Sequence, residues 1–325
     1  MSNIMCKKTK TGSLSTEIYK IIFQLKTKLK PIAKLITNKK IRNIILYVNS
    51  SFSSYTFKRT MLKYYNGLSS SQIDSDIKKV VEFLKHNKSS LFPYEFTKKY
   101  SKLNVEVLTD LENGLRYVYL DAKKLYFKRS YDEAKIKSVF SALLMEQDPE
   151  SPHLYLTEDF NLSEDDILAD IGAAEGEFSL RVVDKVKKIY LFEYDPESIE
   201  ALKATFEPWK NKVQIIGKYV SDDISNSHTT LDNFFAEENP SFIKVDVEGA
   251  ELDLLHGAKK ILSSKSPMKF ITASYHRHND EITLRDELIK YGFETGYSKG
   301  YMLSIWDDIL KEPYLRRGII RAKKS

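Results

Sequence analysis

Cysteine is almost absent from this chain of 325 residues, since Cys6 is the only one. A single cysteine excludes a disulfide-stabilised scaffold and a cysteine-rich zinc site, and it fits a reducing compartment. No run of about 18 apolar residues occurs, so the sequence predicts no membrane-spanning helix. The first ten residues also lack an apolar core followed by a small-residue cleavage pattern, which argues against a secretory signal. We therefore expect a cytoplasmic protein.

Acidic residues are almost missing from the first 60 positions, where Glu17 stands alone against 13 lysines and arginines. This segment has a net charge of +12, whereas the remainder of the chain has −6. From Ile18 to Ile36 the apolar residues recur at the spacing of an amphipathic helix, which Pro31 should kink. Either the lysines form a solvated helix face, or the helix lies on an anionic membrane surface at the inner face of the membrane. Because no nucleic-acid motif accompanies the charge, we expect no nucleic-acid partner.

The apolar pattern divides the chain into three predicted domains, 1–60, 61–150 and 151–325. In the second domain, residues 71–86 and 131–147 have helical patterns, and Asn113-Gly114 predicts a hairpin turn between them. This domain is interpreted as an accessory region of helices and a β-hairpin.

The third domain alternates apolar strand patterns with helical patterns. The predicted strands are 167–172, 188–195, 213–220, 242–247 and 270–276, and the predicted helices are 178–186, 196–209, 250–262 and 281–291. Such alternation predicts an α/β fold with a mostly parallel sheet. Shorter strand-like pieces around Gly300 predict an antiparallel hairpin that closes the sheet.

The most informative motif follows the first of these strands, where Asp170 begins the pattern D-x-G-x-x-x-G. A turn of small residues, which here includes Gly172, Ala173 and Gly176, lets the backbone approach a ligand closely. The G-x-G-x-x-G spacing of a nicotinamide dinucleotide site is missing. Asp170 stands where a cationic amino group could be held, which favours S-adenosylmethionine (SAM) as the cofactor.

Further acids follow the next strands. Glu193 ends the second strand 17 residues after Gly176, where a carboxylate can accept both ribose hydroxyls. Ser221 and Asp222 end the third strand, where an adenine edge would fall in this topology. We therefore predict all three as cofactor contacts.

The fourth strand ends in Asp246-Val247-Glu248-Gly249-Ala250, which leads into a helix. Asp246 and Glu248 are predicted to point into the crevice beside the transferred group, with Asp246 also a cofactor contact. The alternative is that Glu248 and Glu251 only cap the helix, since acids are favoured in a first turn.

Taken in order, DIGAAEGEFSL, LFEYD, TTLDNFF and FIKVDVEGAELDLLHGA resemble the FkbM family of SAM-dependent methyltransferases over residues 140–310. The resemblance implies a seven-stranded class I methyltransferase fold and methyl transfer to a hydroxyl, commonly on a sugar of a glycan or natural product. It implies a cofactor loop at Asp170, Gly172 and Gly176, a ribose ligand at Glu193 and a reaction centre at Asp246. It does not extend to residues 1–100.

Two histidine segments complete the predicted site. His276 follows the fifth strand and is a candidate base for the acceptor hydroxyl, because imidazole titrates near neutral pH. Its neighbours Tyr275 and Arg277 are predicted to contact the substrate. His153, ahead of the first strand, is predicted to fold over the site as a lid or acceptor contact. The scheme requires no metal; the alternative is a metal site in which His276 and His278 join Asp246 and Asp280.

These patterns predict an O-methyltransferase that acts on a glycan or small-molecule hydroxyl. Two alternatives remain open, an NAD-dependent oxidoreductase and a non-catalytic protein that tethers to a membrane or glycan assembly. The oligomeric state has no signature in the sequence.

Overall fold

The computed structural model describes residues 57–69, 71–303 and 312–325. The chain falls into two compact units, Met1–Ser90 and Leu91–Ser325. The predicted first domain, with its amphipathic helix from Ile18, lies almost wholly outside the described residues.

In the first unit, residues 57–66 are helical and helix α1 spans Ser75–His86. The side chain of Asp74 caps α1 by accepting a hydrogen bond from the Ile77 amide at 2.7 Å. Val80, Val81 and Leu84 form the buried face, so the helix predicted over 71–86 is present from residue 75.

The second unit begins with the hairpin and helix that the sequence predicts. A 3₁₀ helix (Glu95–Lys102) precedes a three-stranded antiparallel sheet of β1 (Leu108–Thr109), β2 (Arg116–Leu120) and β3 (Lys123–Tyr126). The β2–β3 turn consists of Asp121 and Ala122, both with positive φ. Helix α2 (Glu133–Glu146) follows, capped by Asp132.

A seven-stranded sheet forms the centre of this unit. Its strands are β4 (Ile167–Ile171), β5 (Lys188–Phe192), β6 (Val213–Ile216), β9 (Phe242–Val245), β10 (Met268–Ala273), β11 (Glu294–Tyr297) and β14 (Ile319–Lys324). Their order is β11-β14-β10-β9-β4-β5-β6, with β14 antiparallel to both neighbours and every other pairing parallel. The predicted fold class is confirmed.

Helices join the strands, and two small sheets lie outside the main one. The helices are α3 (Glu177–Val182), α4 (Pro196–Phe206) with a 3₁₀ turn (Glu207–Trp209), α5 (Leu231–Phe234), α6 (Glu251–His256), α7 (Lys259–Ser263) and α8 (Asp280–Lys290). The small sheets pair β7 (Tyr219–Val220) with β8 (His228–Thr229), and β12 (Met302–Leu303) with β13 (Leu315–Arg316). No helix within the described ranges is both long and apolar enough to cross a membrane.

Two elements differ from the prediction. The third strand ends at Ile216 rather than at residue 220, because the Lys218 amide bonds back to the Ile216 carbonyl and the chain turns away at Gly217. The helix predicted over 250–262 is two helices, interrupted at Gly257 and Ala258. A β-carbon at Gly257 would lie 2.0 Å from the Ser221 carbonyl oxygen, so this break is where the two chain segments meet.

The core lies on both faces of the main sheet. Along β4, Leu168 packs into one apolar cluster, while Ala169 and Ile171, which point to the opposite face, pack into the other. In β5, Leu191 and Phe192 divide in the same way, as expected from the two-residue period of a strand. Because both faces are covered, a ligand reaches the sheet at the carboxyl ends of its parallel strands.

Candidate active site

The loop after β4 is held by a buried ion pair. The Asp170 carboxylate lies 3.0 Å from Lys244 Nζ, with both side chains almost fully buried. The Ser179 hydroxyl donates to the other Asp170 oxygen at 2.7 Å, and Lys244 also donates to the Gly172 carbonyl at 2.9 Å. Asp170 thus ties β4 to β9 and α3 beneath the loop. Its predicted contact with a cofactor ammonium stays a prediction.

The loop also needs glycine to come close to the strand beside it. Gly172 has φ +75°, and a β-carbon there would lie 1.9 Å from the Asp246 carbonyl oxygen. Gly176, with φ +77°, packs against Leu202 and Phe206 of α4. The two glycines and Ala173, which is buried, therefore support the loop by close packing.

A first cavity of about 400 Å³ opens at the carboxyl ends of β4, β5 and β9. Glu193, Lys218, Tyr219, Asp246 and Glu248 are among its lining residues. Ser221 and Asp222, the predicted adenine contacts, are not, because the chain has already turned away after β6. The rings of Tyr194 and Tyr219 stack at this cavity with centroids 4.0 Å apart.

Glu193 connects the second strand to the loop. One carboxylate oxygen accepts a hydrogen bond from the Ala174 amide at 3.0 Å. The other accepts from the amides of Tyr194 and Asp195, each at 2.9 Å. The side chain is therefore fixed at the first cavity, and Oε2, which accepts one amide, can accept a further bond from a ligand hydroxyl.

A second cavity of about 280 Å³ adjoins the first. The two share Gly172, Ala174, Glu175, Asp246 and Glu248 as lining residues. Ala174 and Glu248 have φ +48° and +52°, a left-handed conformation that is rare outside glycine and that clusters at functional sites. The second cavity extends from this junction toward Glu146 and His276.

Asp246 lies at the junction of the two cavities. The Tyr155 hydroxyl donates to its Oδ2 at 2.7 Å, and His153 Nε2 lies 3.4 Å from the same atom. His276 Nε2 lies 3.5 Å from Oδ1. Burial raises the pKa of Asp246, but His153, Lys244 and His276 outweigh that effect and hold the pKa well below its usual range. Asp246 is thus a fixed negative charge at neutral pH.

His276 is held between two carboxylates. Its Nδ1 lies 2.8 Å from Glu251 Oε1, and the Arg316 guanidinium donates to the carbonyls of Tyr275 and His276 at 2.7 and 3.2 Å. Burial lowers the pKa of His276, but the hydrogen bond to Glu251 and the charge of Asp246 outweigh it and raise the pKa above its ordinary value. His276 therefore holds its proton more firmly than a free histidine does.

The other predicted substrate contacts fall in different places. His153 is buried, with its ring 5.0 Å from that of Tyr155 and 5.4 Å from that of Tyr275. Tyr275 lines the second cavity, whereas Arg277 is exposed and lines neither cavity. The structure thus brings Asp246, Glu248, His276, His153 and Tyr275 together and leaves Arg277 at the rim.

Three side chains at this site are close enough to one another to hold a metal ion. Asp246, Glu251 and His276 each offer a ligand atom, and these atoms lie within 4.8 Å of one another. The alternative set predicted with His278 and Asp280 differs from this one. Because His276 is already hydrogen-bonded to Glu251, a metal would have to displace that bond.

Sequence reasoning missed three side chains that the cavities contain, Tyr155, Lys218 and Glu146. Tyr155 lies in an irregular segment without a pattern, and Lys218 emerges only because β6 ends early. Glu146 carried a weak signal as an acid that ends an otherwise apolar stretch, ALLMEQ. Burial and the charge of Asp246 raise its pKa to about 7, although His153 opposes this.

Comparison with known proteins finds one family model and several solved structures that are similar to this chain. Residues 143–299 match the family model of the methyltransferase FkbM domain. Similar solved structures include methyltransferase FkbM from Methylobacillus flagellatus KT, with 19% identity, coverage of 60% of this chain and 56% of that chain, and a TM-score of 0.42. Precorrin-6y C5,15-methyltransferase from Geobacter metallireducens GS-15 has 14% identity, coverage of 61% and 92%, and a TM-score of 0.37. TYW2 of M. jannaschii in complex with AdoMet has 15% identity, coverage of 68% of this chain and 71% of that chain, and a TM-score of 0.34.

This chain therefore spans just over half the length of the Methylobacillus protein, 56%. No curated protein matches it. The family match contains the β4 loop, Glu193 and Asp246, which are the residues that carried the resemblance in the sequence. Residues 143–299 thus match the methyltransferase FkbM domain, which confirms the resemblance seen in the sequence.

Proposed function

We propose that this methyltransferase takes its methyl group from SAM and transfers it to a hydroxyl, on a sugar of a glycan or a related natural product. The observation that carries the proposal is the pair of adjoining cavities, which share Asp246 and Glu248. One cavity contains a fixed carboxylate suited to a ribose, and the other is open for an acceptor. The choice of a sugar rests on the family resemblance alone.

The residues of the first cavity fit this cofactor. Glu193 would accept a ribose hydroxyl through Oε2, and the loop around Gly172 would lie against the amino acid end. When bound, SAM supplies a methyl group already activated by its sulfonium. Asp246 and Glu248 add negative charge at the junction, where the positive charge of the sulfonium would lie. Orientation of the two reactants should then contribute most of the rate enhancement.

Calorimetric titration with SAM, S-adenosylhomocysteine (SAH) and NAD⁺ tests the cofactor. We expect SAM and SAH to bind the wild-type protein and NAD⁺ not to bind. Glu193→Gln should weaken the binding of both adenosyl ligands several-fold, since one acceptor oxygen becomes an NH2 group that cannot accept a hydrogen bond. Binding of NAD⁺ without SAM would instead support an oxidoreductase.

Mass spectrometry of the cellular glycan fraction, with and without the gene, tests the acceptor. A glycan that loses one methyl unit in the deletion strain would support the sugar assignment. If SAM binds but no glycan changes in mass, the acceptor is another kind of hydroxyl compound.

A further inference from the structure

The second cavity is lined mainly by groups that ionise. Its carboxylates are Glu146, Glu175, Glu177, Asp246 and Glu248, and its other titratable groups are Lys244, Tyr155, Tyr275 and His276. A hydroxyl becomes a competent nucleophile when a base takes its proton, and that base must reach the acceptor on the side away from the cofactor. These groups are therefore the candidates for that base.

Most of them are already engaged. Lys244 is paired with Asp170, and Glu177 with Arg181. Both nitrogens of His276 face carboxylates, since Nδ1 lies 2.8 Å from Glu251 Oε1 and Nε2 lies 3.5 Å from Asp246 Oδ1. Burial holds the pKa values of Tyr155 and Tyr275 well above their ordinary value, so neither phenol ionises near neutral pH.

The remaining carboxylates differ in position. Asp246 accepts a hydrogen bond from the Tyr155 hydroxyl. Its pKa is held low by His153, Lys244 and His276 against the effect of burial, so Asp246 is a weak base. Glu175 and Glu248 line both cavities and so lie at the junction through which the methyl group would pass. Glu146 lines only the second cavity, at the carboxyl end of α2, and no residue in the described ranges donates a hydrogen bond to it.

We propose that Glu146 is the general base that takes the proton of the acceptor hydroxyl. This inference rests on the proposed function. In the step, the hydroxyl O–H bond breaks and its proton goes to the Glu146 carboxylate. The oxygen forms a bond to the methyl carbon, the bond from that carbon to sulfur breaks, and its electron pair stays on sulfur. The sulfonium becomes a neutral thioether, and no other reactant is required.

The charged surroundings of Glu146 suit this role. His153 favours its ionised form, whereas Asp246, Glu177 and Glu175 disfavour it, and Lys244 lies in the same cavity. Burial, together with the charges of Asp246, Glu177 and Glu175, raises the pKa of Glu146 to about 7, although His153 opposes this. A sulfonium bound at the junction adds a positive charge nearby, which lowers that pKa and releases the proton. Cofactor binding would thus leave the base ready to act.

Proton release on binding tests the proposal without an acceptor. Calorimetry of SAM and of SAH at pH 7, in buffers of different ionisation enthalpy, measures the protons released. If SAM lowers the pKa of Glu146 from about 7 to about 6, SAM should release about 0.4 proton more than SAH, which lacks the positive sulfur. Glu146→Gln should abolish this excess and keep SAH affinity, Glu146→Asp should restore part of it, and the exposed Glu150→Gln should behave as wild type.

The outcomes separate the two proposals. Excess proton release that persists in Glu146→Gln would assign the proton to another group and overturn this inference, as would equal release by SAM and SAH in the wild type. Failure of the wild type to bind either ligand would overturn the proposed function, and the inference with it. Circular dichroism of each variant, compared with wild type, shows whether a loss of signal comes from misfolding.

Discussion

At the scale of single residues, the ion pair of Asp170 and Lys244 stabilises the structure beneath the loop. Both side chains are buried, and the pair connects neighbouring strands of the sheet. Removal of one partner leaves a buried charge uncompensated, which typically costs about 3–5 kcal/mol. This changes what an Asp170 variant can show, because loss of cofactor binding could follow from a disturbed loop as well as from a lost ligand.

We expect Asp170→Ala and Lys244→Met each to lower the free energy of unfolding by about 3 kcal/mol or more, and the double variant to lose much less than their sum. Urea unfolding of the four proteins measures the coupling. As a control, Glu133→Ala breaks the exposed pair with Lys137 and should cost at most about 0.5 kcal/mol. Additive losses in the double variant would contradict the pairing.

Glu146 should also affect stability, in a direction set by its pKa. That pKa is raised to about 7 in the folded protein from its ordinary value of 4.5, so the folded state binds the proton more tightly than the unfolded state. Stability from this group is therefore present at low pH and is lost as the pH rises from about 4.5 through about 7.

Glu146→Gln resembles the protonated side chain and removes this dependence. We expect its melting temperature to match that of wild type near pH 5 and to exceed it by several degrees near pH 8. Differential scanning fluorimetry across this pH range measures the difference. A variant that is equally shifted at both pH values would show that Glu146 does not titrate between them.

At the scale of elements, the β2–β3 turn has an unfavourable backbone. Asp121 and Ala122 have φ +48° and +63°, and the second position of such a turn favours glycine. Ala122→Gly should therefore raise the free energy of unfolding by about 0.5–1 kcal/mol. The control is Ala134→Gly, exposed in the first turn of α2, where glycine should lower the free energy of unfolding by up to about 1 kcal/mol. Urea unfolding that shows the same sign for both variants would argue against strain at the turn.

The sequence predicted most of these elements, and the reasons for its failures are physical. Strands β4, β5, β9 and β10 are apolar stretches bounded by turn residues, which is a local signal. The apolar pattern of VQIIGKYV continues past the end of β6, so the turn at Gly217 was hidden. After the turn, residues 219–220 form β7, which pairs with β8 rather than continuing β6. This pairing is a non-local contact, so a local pattern does not record it.

The sequence likewise predicted those residues of the candidate site that follow strand ends, but not those brought there by packing. Glu193 and Asp246 follow strand ends, so the topology alone places them at one edge of the sheet. Glu146 and Tyr155 reach that edge only through the packing of α2 and the segment after it, which no local pattern records. The engagement of His276 by Glu251 likewise depends on residues 25 positions apart.

At the scale of the whole molecule, the uneven charge remains the main feature outside the family match. Residues 1–60 have a net charge of +12, and the family match begins only at residue 143. We propose that this segment binds an anionic membrane surface, since each basic residue near anionic headgroups contributes about 1 kcal/mol.

Co-sedimentation of the full chain with vesicles tests this proposal. We expect binding to phosphatidylserine-containing vesicles at low salt and release as the salt rises, because the screening length falls from about 30 Å at 0.01 M to about 3 Å at 1 M. Pure phosphatidylcholine vesicles are the control. Equal binding to both vesicles, or none to the anionic ones at low salt, would contradict the proposal.

The acidic lining of the second cavity has a consequence for turnover. Glu175, Asp246 and Glu248 lie at the junction where the proposed cofactor brings a positive sulfur and the spent cofactor leaves a neutral one. The same side chains therefore attract the fresh cofactor more strongly than the spent one. An enzyme built in this way exchanges one for the other readily, and we expect it to show little product inhibition even where spent cofactor accumulates.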